Sequence, residues 1–450
     1  MARVFLSFLG VGKKDVGYIR TRYRYGDGYL PATRFVQRAT LEAFGASTFD
    51  RVLVLVTPTS ARQTYPDLEA ELAEIGVRPP ILSPLGISET LDARDQWAWF
   101  DEVLRSVDPG DSLVIDMTHG FRVVPIVLSS ALGYLRRVKN VRLEAVLYGA
   151  EDGNAGSEDP TGRLVDMSSF YVIQDWADAV SRLVDSADAR SLAELAASAT
   201  EGSFAGLRSD ELVDALKHLT DVLKNVEVNA VEEAVRSALD LLERQRAQAR
   251  TEAEGQLLGL VIDKFTSLLL TEPSDGRYTR EYLTLQVRVA RLLAEHGLFM
   301  QCFTVMRELI GSMGIYGLGS SKYGSAKRES SEGFRYRGRF AEAFLAMLQF
   351  DEPSWKFEGQ RAQDVETLRP WYRKVVAESE QASTLRRVVK ELVHIRNGFD
   401  HAWTAKRLTN VLPRGDQPGR GDLVEALQAR AMSIAKELED LIRQLPEPPA

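Results

Sequence analysis

Short apolar runs alternate with helix-period stretches over the first third of the chain. Residues 4–9, 52–56, 113–115 and 143–147 are almost continuously apolar, the pattern of strands buried on both faces. Between them, 32–44, 67–75, 93–106 and 123–138 repeat apolar side chains at helical spacing. This order predicts an α/β domain with a Rossmann-like, doubly wound and mostly parallel sheet. Ligands bind such sheets outside the carboxyl ends of the strands, where loops converge. Residues 151–162, rich in Gly, Asp and Asn, read as a loop closing this domain or as a late hairpin within it.

After Asp166 the pattern turns helical. Amphipathic stretches at 172–184, 209–250, 279–295, 341–348, 384–395 and 422–445 predict a mainly α-helical C-terminal part, with loops over 311–338 and 410–421 where Gly, Ser and Pro gather. The expected division is an α/β domain over 1–180, a helical connector over 181–280 and a helical domain over 281–450. Internal repeats and low-complexity tracts are absent from the sequence.

Composition narrows the function. The chain has 450 residues, enough for about two or three domains. A net charge of −8 argues against non-specific coating of nucleic acid, which needs broad phosphate neutralisation, so any RNA contact must be local. A single cysteine, Cys302, excludes an internal disulfide framework and fits a reducing, cytoplasmic setting. The apolar start ends at Lys13-Lys14-Asp15 without a small-residue cleavage pattern, so it reads as a buried strand. Nothing approaches the roughly 18 apolar residues of a membrane helix. His, Cys, Asp and Glu show no metal-ligand spacing, so no metal is expected.

The most informative stretch runs Leu113-Val114-Ile115-Asp116-Met117-Thr118-His119-Gly120-Phe121-Arg122. A strand ends at Asp116, and Thr118, His119 and Gly120 turn into a helix starting near Val123. Backbone N–H groups at a helix start, with the positive end of its dipole, favour a phosphate or another polar ligand. Gly120 lets a ligand come close. Gly10 after the first strand, and Thr57-Pro58-Thr59-Ser60 after the second, fall on the same rim. Thr and Ser after a strand are equally plain helix caps, and Asp116 can simply hold the turn together. Two better-known phosphate sites do not fit. Gly10-Val11-Gly12 has Asp15 where a dinucleotide fingerprint needs its third glycine; Ser7 and Lys14 break a P-loop at its first glycine and its Ser/Thr.

Asp116-Met117-Thr118-His119-Gly120 resembles the DxTHG signature of CRISPR-associated proteins that join a CARF sensor to a HEPN nuclease. The segments Val165-Asp166-Met167-Ser168-Ser169-Phe170 and Trp176-Ala177-Asp178-Ala179-Val180 resemble their connecting region. The resemblance covers the first 180 residues and recurs near the C-terminus. It implies a sensor that binds a cyclic oligoadenylate, a tetramer or hexamer, as an allosteric activator, in a homodimer or higher homo-oligomer. The implied ligand-contacting positions are Gly10, Thr57, Thr59, Ser60, Thr118, His119, Gly120 and Arg122. A ring with twofold symmetry can take the same loops from each of two subunits.

A second motif, His394-Ile395-Arg396-Asn397-Gly398-Phe399-Asp400-His401, resembles the RxxxxH motif of HEPN ribonucleases. Arg291-Leu292-Leu293-Ala294-Glu295-His296 has the same spacing but continues an amphipathic helix and lacks the asparagine, so it reads as a decoy. Asn397 and His401, four apart, share a helical face. Arg396 would point about 140° away from His401 on an unbroken helix. The guanidinium must wrap back, the helix must start or bend near Gly398, or a second subunit must complete the site. Metal-free RNA cleavage needs a base for the 2′-hydroxyl, stabilisation of charge on phosphorus and an acid for the leaving oxygen. His401 suits the acid–base role, Arg396 the electrostatic one, and Asn397 could orient either partner. The resemblance implies 2′,3′-cyclic phosphate and 5′-hydroxyl products from single-stranded RNA. The plain alternative is a helix C-terminus with Arg396 and His401 solvated and Gly398 as cap.

Residues 322–339 interleave Lys322, Lys327, Arg328, Arg335, Arg337 and Arg339 with Tyr323, Phe334 and Tyr336. They could track phosphates and stack bases, or form a solvated loop interrupted by Glu329 and Glu332. The expected function is an activated, metal-independent endoribonuclease in antiviral defence. The alternatives are a non-catalytic, ligand-responsive dimeric binding module and a sensor that also degrades its ring ligand.

Overall fold

A computed structural model describes residues 1–12, 17–90, 92–119, 124–152, 159–198, 204–377, 382–400 and 423–449. Two compact units result, Met1–Gln174 and Asp175–Ala450.

The first unit is built on eight strands, β1 (Arg3–Leu9), β2 (Arg22–Tyr25), β3 (Gly28–Tyr29), β4 (Arg51–Val56), β5 (Leu82–Gly86), β6 (Ser112–Asp116), β7 (Arg142–Glu151) and β8 (Thr161–Asp166). They form one sheet in the order β3-β2-β8-β7-β6-β1-β4-β5. The run from β7 to β5 is parallel throughout; β8 is antiparallel to β7, and β3 to β2. Of the two readings of 151–162, the hairpin matches this antiparallel pair. Helices α1 (Val36–Phe44), α2 (Pro58–Gln63), α3 (Tyr65–Glu74), α4 (Ala93–Ser106) and α5 (Val124–Val138) complete the α/β layering.

Both faces of the sheet are covered, which is why its central strands read as unbroken apolar runs. On β1, Val4, Leu6 and Phe8 join one core with Trp99, Val103, Leu132 and Leu135, while Phe5 and Leu9 join another with Leu41, Leu68 and Leu72. This is the period-two alternation of a strand, apolar on each side. Periodicity misses β2, β3, β5 and β8, which are short or lie toward an edge. In β5, Leu82-Ser83-Pro84-Leu85-Gly86, burial is intermittent and a proline sits within the strand, as edge strands allow.

Helix α6 (Ser168–Ser186) is followed by α7 (Arg190–Ser198), α8 (Asp210–Lys224), α9 (Val231–Ala247), α10 (Glu252–Thr266), α11 (Arg280–Glu295) and α12 (Phe299–Tyr316). Then come α13 (Ser331–Tyr336), α14 (Glu342–Gln349), α15 (Gly359–Tyr372), α16 (Ala382–Asp400) and α17 (Leu423–Arg443). Ser209, Thr251, Thr279 and Ser330 accept from backbone amides three residues on and so start α8, α10, α11 and α13. The stretch expected as one helical pattern over 209–250 is broken between α8 and α9, where Val226 adopts φ +61°.

The expected loop at 311–338 is a correction. Its first residues belong to α12, whose Phe303, Met306, Leu309, Ile310 and Met313 are fully buried, and its last ones to α13 and a π-helical turn, Arg337–Ala341. Gly311 and Gly314 mark close packing rather than a break. A Cβ at Gly311 would lie 2.9 Å from that of Ala341, and one at Gly314 would lie 2.6 Å from that of Phe344. The 410–421 loop lies outside the described residues.

Candidate functional site

The strand order reverses at β1, with β4 and β5 on one side and β6 and β7 on the other. Over the carboxyl ends of these strands opens a cleft of about 850 Å³, where doubly wound sheets bind their ligands. Gly10, Thr57, Thr59, Thr118 and His119 all line it. Ser60 does not stand among the lining residues and is fully buried. Gly120 and Arg122 lie outside the described residues.

The cleft floor is tied together by one buried carboxylate. Asp116, fully buried at the end of β6, accepts from Ser7 Oγ of β1 at 2.6 Å and from the Thr118 amide at 3.0 Å. The Thr118 hydroxyl also donates to it and accepts from the Gly149 amide of β7 at 2.7 Å. Three strand ends are thus joined through the Asp and Thr of the signature. Gly149 must be glycine-sized, since a Cβ there would lie 2.6 Å from Val36 Cγ2.

At the β4 end, Thr57 caps α2. Its hydroxyl accepts from the Ser60 amide at 3.2 Å, and Ser60 Oγ accepts from the Thr57 amide at 2.9 Å, a reciprocal pairing that fixes the turn. The amide of Thr59 already donates to Glu89 at 2.6 Å, and the Thr59 hydroxyl first and then this amide hold the Glu89 carboxyl below its usual range.

His119 packs edge-on against Tyr18, ring centroids 4.7 Å apart. Burial lowers the imidazole below its usual range, with Asp116 and Glu151 opposing, so it stands neutral at pH 7. Burial likewise pushes the Tyr18 phenol up to about 12. Tyr18, Glu89 and Glu151 are wall residues that the motifs do not mark; each reaches the cleft through the tertiary fold, and no local pattern signals it. The charged side chains lining the cleft among the described residues are the carboxylates of Glu89 and Glu151. Lys13, Lys14 and Arg122 lie outside the described residues.

The second motif falls on α16, which stays helical through Gly398 to Asp400. Of the openings left for Arg396, a helix start at Gly398 is therefore not the one used. Gly398 is buried inside the helix, so it is not a cap. Arg396 is half-buried and has interaction partners, Asn397 is exposed, and Phe399 stacks on Phe303 of α12 at 6.2 Å. His401 lies outside the described residues.

The other copy of the spacing is structural. Arg291 pairs with Glu439 of α17 at 2.5 Å, and His296 Nε2 lies 3.1 Å from the Val184 carbonyl oxygen. Burial and then Lys264 push the His296 imidazole down to about 4. The basic segment is also largely spent inside the unit. Arg328 is buried over the Tyr282 ring at 3.7 Å and bonds Ser274 at 3.0 Å, Arg337 pairs with Glu308, and Arg339 pairs with Asp364. It is therefore not simply a solvated loop, and these arginines are not free to track a phosphate backbone. Among the described residues no group of His, Cys, Asp and Glu could hold a metal ion, and no helix is long and apolar enough to cross a membrane.

A doubly wound sheet with a cleft over its switch point places the first unit in the α/β class, and a helical unit follows it in the chain. No family model matches the chain. A CRISPR-associated protein of Methanocaldococcus jannaschii is 32% identical over 89 residues, which are 19% of this chain and 14% of that protein. The chain thus matches about one-seventh of that relative's length. Among solved structures, Enterococcus italicus Csm6 bound to cyclic hexa-2′-fluoro-hexa-dAMP is similar over 99% of both chains, at 14% identity and a TM-score of 0.44. A likeness at that level carries no argument about this chain.

Proposed function

We propose that the chain is a CRISPR-associated sensor-nuclease, in which a cyclic oligoadenylate seated in the N-terminal cleft activates RNA cleavage by the helical unit. One observation carries the reading: Gly10, Thr57, Thr59, Thr118 and His119, drawn from loops far apart in sequence, line a single cleft at the switch point. The partial match to a CRISPR-associated protein supports the same setting. In this reading a neutral His119 offers one ring nitrogen as donor and the other as acceptor to an adenine edge. The phosphates turn away from Glu89 and Glu151, whose carboxylates repel them. A homodimer presents two such clefts to one ring, and the ring shifts subunit packing only through unequal affinity for the two arrangements.

At the other end, His401 takes the proton of a ribose 2′-hydroxyl as its oxygen attacks the adjacent phosphorus. The bond to the 5′-oxygen breaks, and that oxygen is protonated by the imidazolium or its counterpart in the second subunit. The Arg396 guanidinium stabilises the charge on the phosphoryl oxygens. The products are a 2′,3′-cyclic phosphate and a 5′-hydroxyl; DNA, lacking the 2′-hydroxyl, resists. The reading assigns catalysis to these side chains without a metal.

The test uses the full chain, labelled single-stranded RNA, cyclic adenylates of several ring sizes and a chelator. Ring-dependent cleavage with cyclic phosphate ends in the mass spectrum is the expected result. Ring binding without cleavage under any condition would leave a ligand-responsive binding protein instead. Shortening of the ring during incubation would reveal that the sensor also degrades its ligand.

A further inference from the structure

The helical unit holds a cavity of about 500 Å³ between α11, α12, the α8–α9 loop and the segment around α13, within the size range of small-molecule sites, about 300–1,000 Å³. Gln286 and Ser312, each 1% exposed, line it. Arg337 donates to Ser312 Oγ at 3.0 Å and to the Glu308 carbonyl at 3.1 Å, and it pairs with the Glu308 carboxylate. Tyr282 donates to Asn229 Oδ1 at 2.9 Å. In contrast, the Gln286 amide nitrogen is buried without a hydrogen-bond partner among the described residues. Phe334 also lines the cavity and is 60% exposed. Val226, a β-branched residue at φ +61°, stands in the same wall, the kind of strained backbone that gathers at ligand sites.

We propose that this cavity receives a single unpaired nucleobase. The unpartnered amide needs an acceptor, which a ring nitrogen or carbonyl of a base supplies. Phe334 offers an exposed face on which that base can stack. Glu227, Glu308 and Glu329 outnumber Arg337 in the wall. A phosphate is therefore disfavoured inside, whereas a neutral ring bearing an exocyclic amine finds acceptors. Two residues of the basic and aromatic segment thus act at a pocket, Phe334 by stacking and Arg337 by holding Glu308 and Ser312 in place. The proposal rests on the sensor-nuclease reading only for the source of the base, an RNA strand rather than a free nucleoside.

Fluorescence anisotropy of the full chain with labelled single-stranded RNA homopolymers, and competition by free adenosine, guanosine, cytidine and uridine, test it. Phe334→Ala is expected to weaken binding of at least one homopolymer about tenfold at an unchanged melting temperature. Gln286→Leu should weaken the same one, and the matching nucleoside should compete. Binding of a nucleoside but of no homopolymer would keep the base pocket and make the free nucleoside its source. Unchanged RNA binding in both variants, with no nucleoside bound, overturns the proposal. Cleavage is scored separately: activity that persists with no base bound sinks only the pocket, whereas base binding in a chain that never cleaves sinks only the nuclease reading.

Discussion

The N-terminal cleft and the α16 motif solve the problem of bringing groups together in opposite ways. In the cleft a parallel sheet delivers the ends of β1, β4, β6 and β7 to one place, so residues as far apart as Ser7 and Asp116 meet within 2.6 Å. On α16, Arg396 and Asn397 are neighbours on one unbroken helix, and neighbouring helical side chains diverge by about 100°. A sheet edge can therefore assemble a site from its own chain. A helical motif has to borrow the rest of its geometry from another element or another subunit.

The largest expected effect breaks the two ends apart functionally. Arg396→Ala or His401→Ala should cut ring-stimulated RNA cleavage by about 100-fold or more, with ring affinity by calorimetry unchanged. Equal loss of both would mean that the ends are not separable. Next comes Asp116→Ala, which strands the buried donors of Ser7 and Thr118 and should lower the stability of the N-terminal unit by up to about 3 kcal/mol. A denaturant midpoint within error of wild type would show that the carboxylate does not hold the floor. Gly149→Ala sharpens the same point, because its Cβ would press on Val36 at a cost of roughly 1–3 kcal/mol.

A smaller effect comes from the two buried imidazoles, one in each unit. His119 lies below its usual value, and His296 drops from 6.5 to about 4. Each therefore binds its proton less readily folded than unfolded. Their contribution is full above pH 6.5 and is lost as pH falls below it, for His296 down to about 4. Urea midpoints should begin to fall between pH 6.5 and 5.5, and His296→Gln should reduce that early loss. A flat midpoint across this interval would exclude the assignment. The smallest change is expected for Lys322→Ala, an exposed cation 5.0 Å from the Tyr323 ring, within about 0.5 kcal/mol by thermal melt.

Much of the sheet was legible as apolar runs, because β1, β4 and β6 are buried on both faces and cannot tolerate polar positions. The buried polar exceptions, Ser7 of β1 and Asp116 of β6, bond to each other. Edge strands were not legible, since half-exposed short segments such as β5 leave no periodicity to count. Among the cleft residues, those following β1, β4 and β6 could be found because each occupies a turn with its own chemistry. Tyr18, Glu89 and Glu151 could not, because nothing local distinguishes a wall residue from a surface one.

Local interactions alone determine where α11 starts at Thr279, where β6 stops at Asp116, and that Thr57 precedes a helix, because caps and strand ends depend on neighbours a few residues away. Tertiary structure alone decided that Glu89 occupies the Thr59 amide, that Gly311 and Gly314 pack a core helix, and that most arginines of 322–339 serve internal carboxylates. Those outcomes depend on groups distant in sequence approaching within bonding or van der Waals distance, which neither periodicity nor composition encodes.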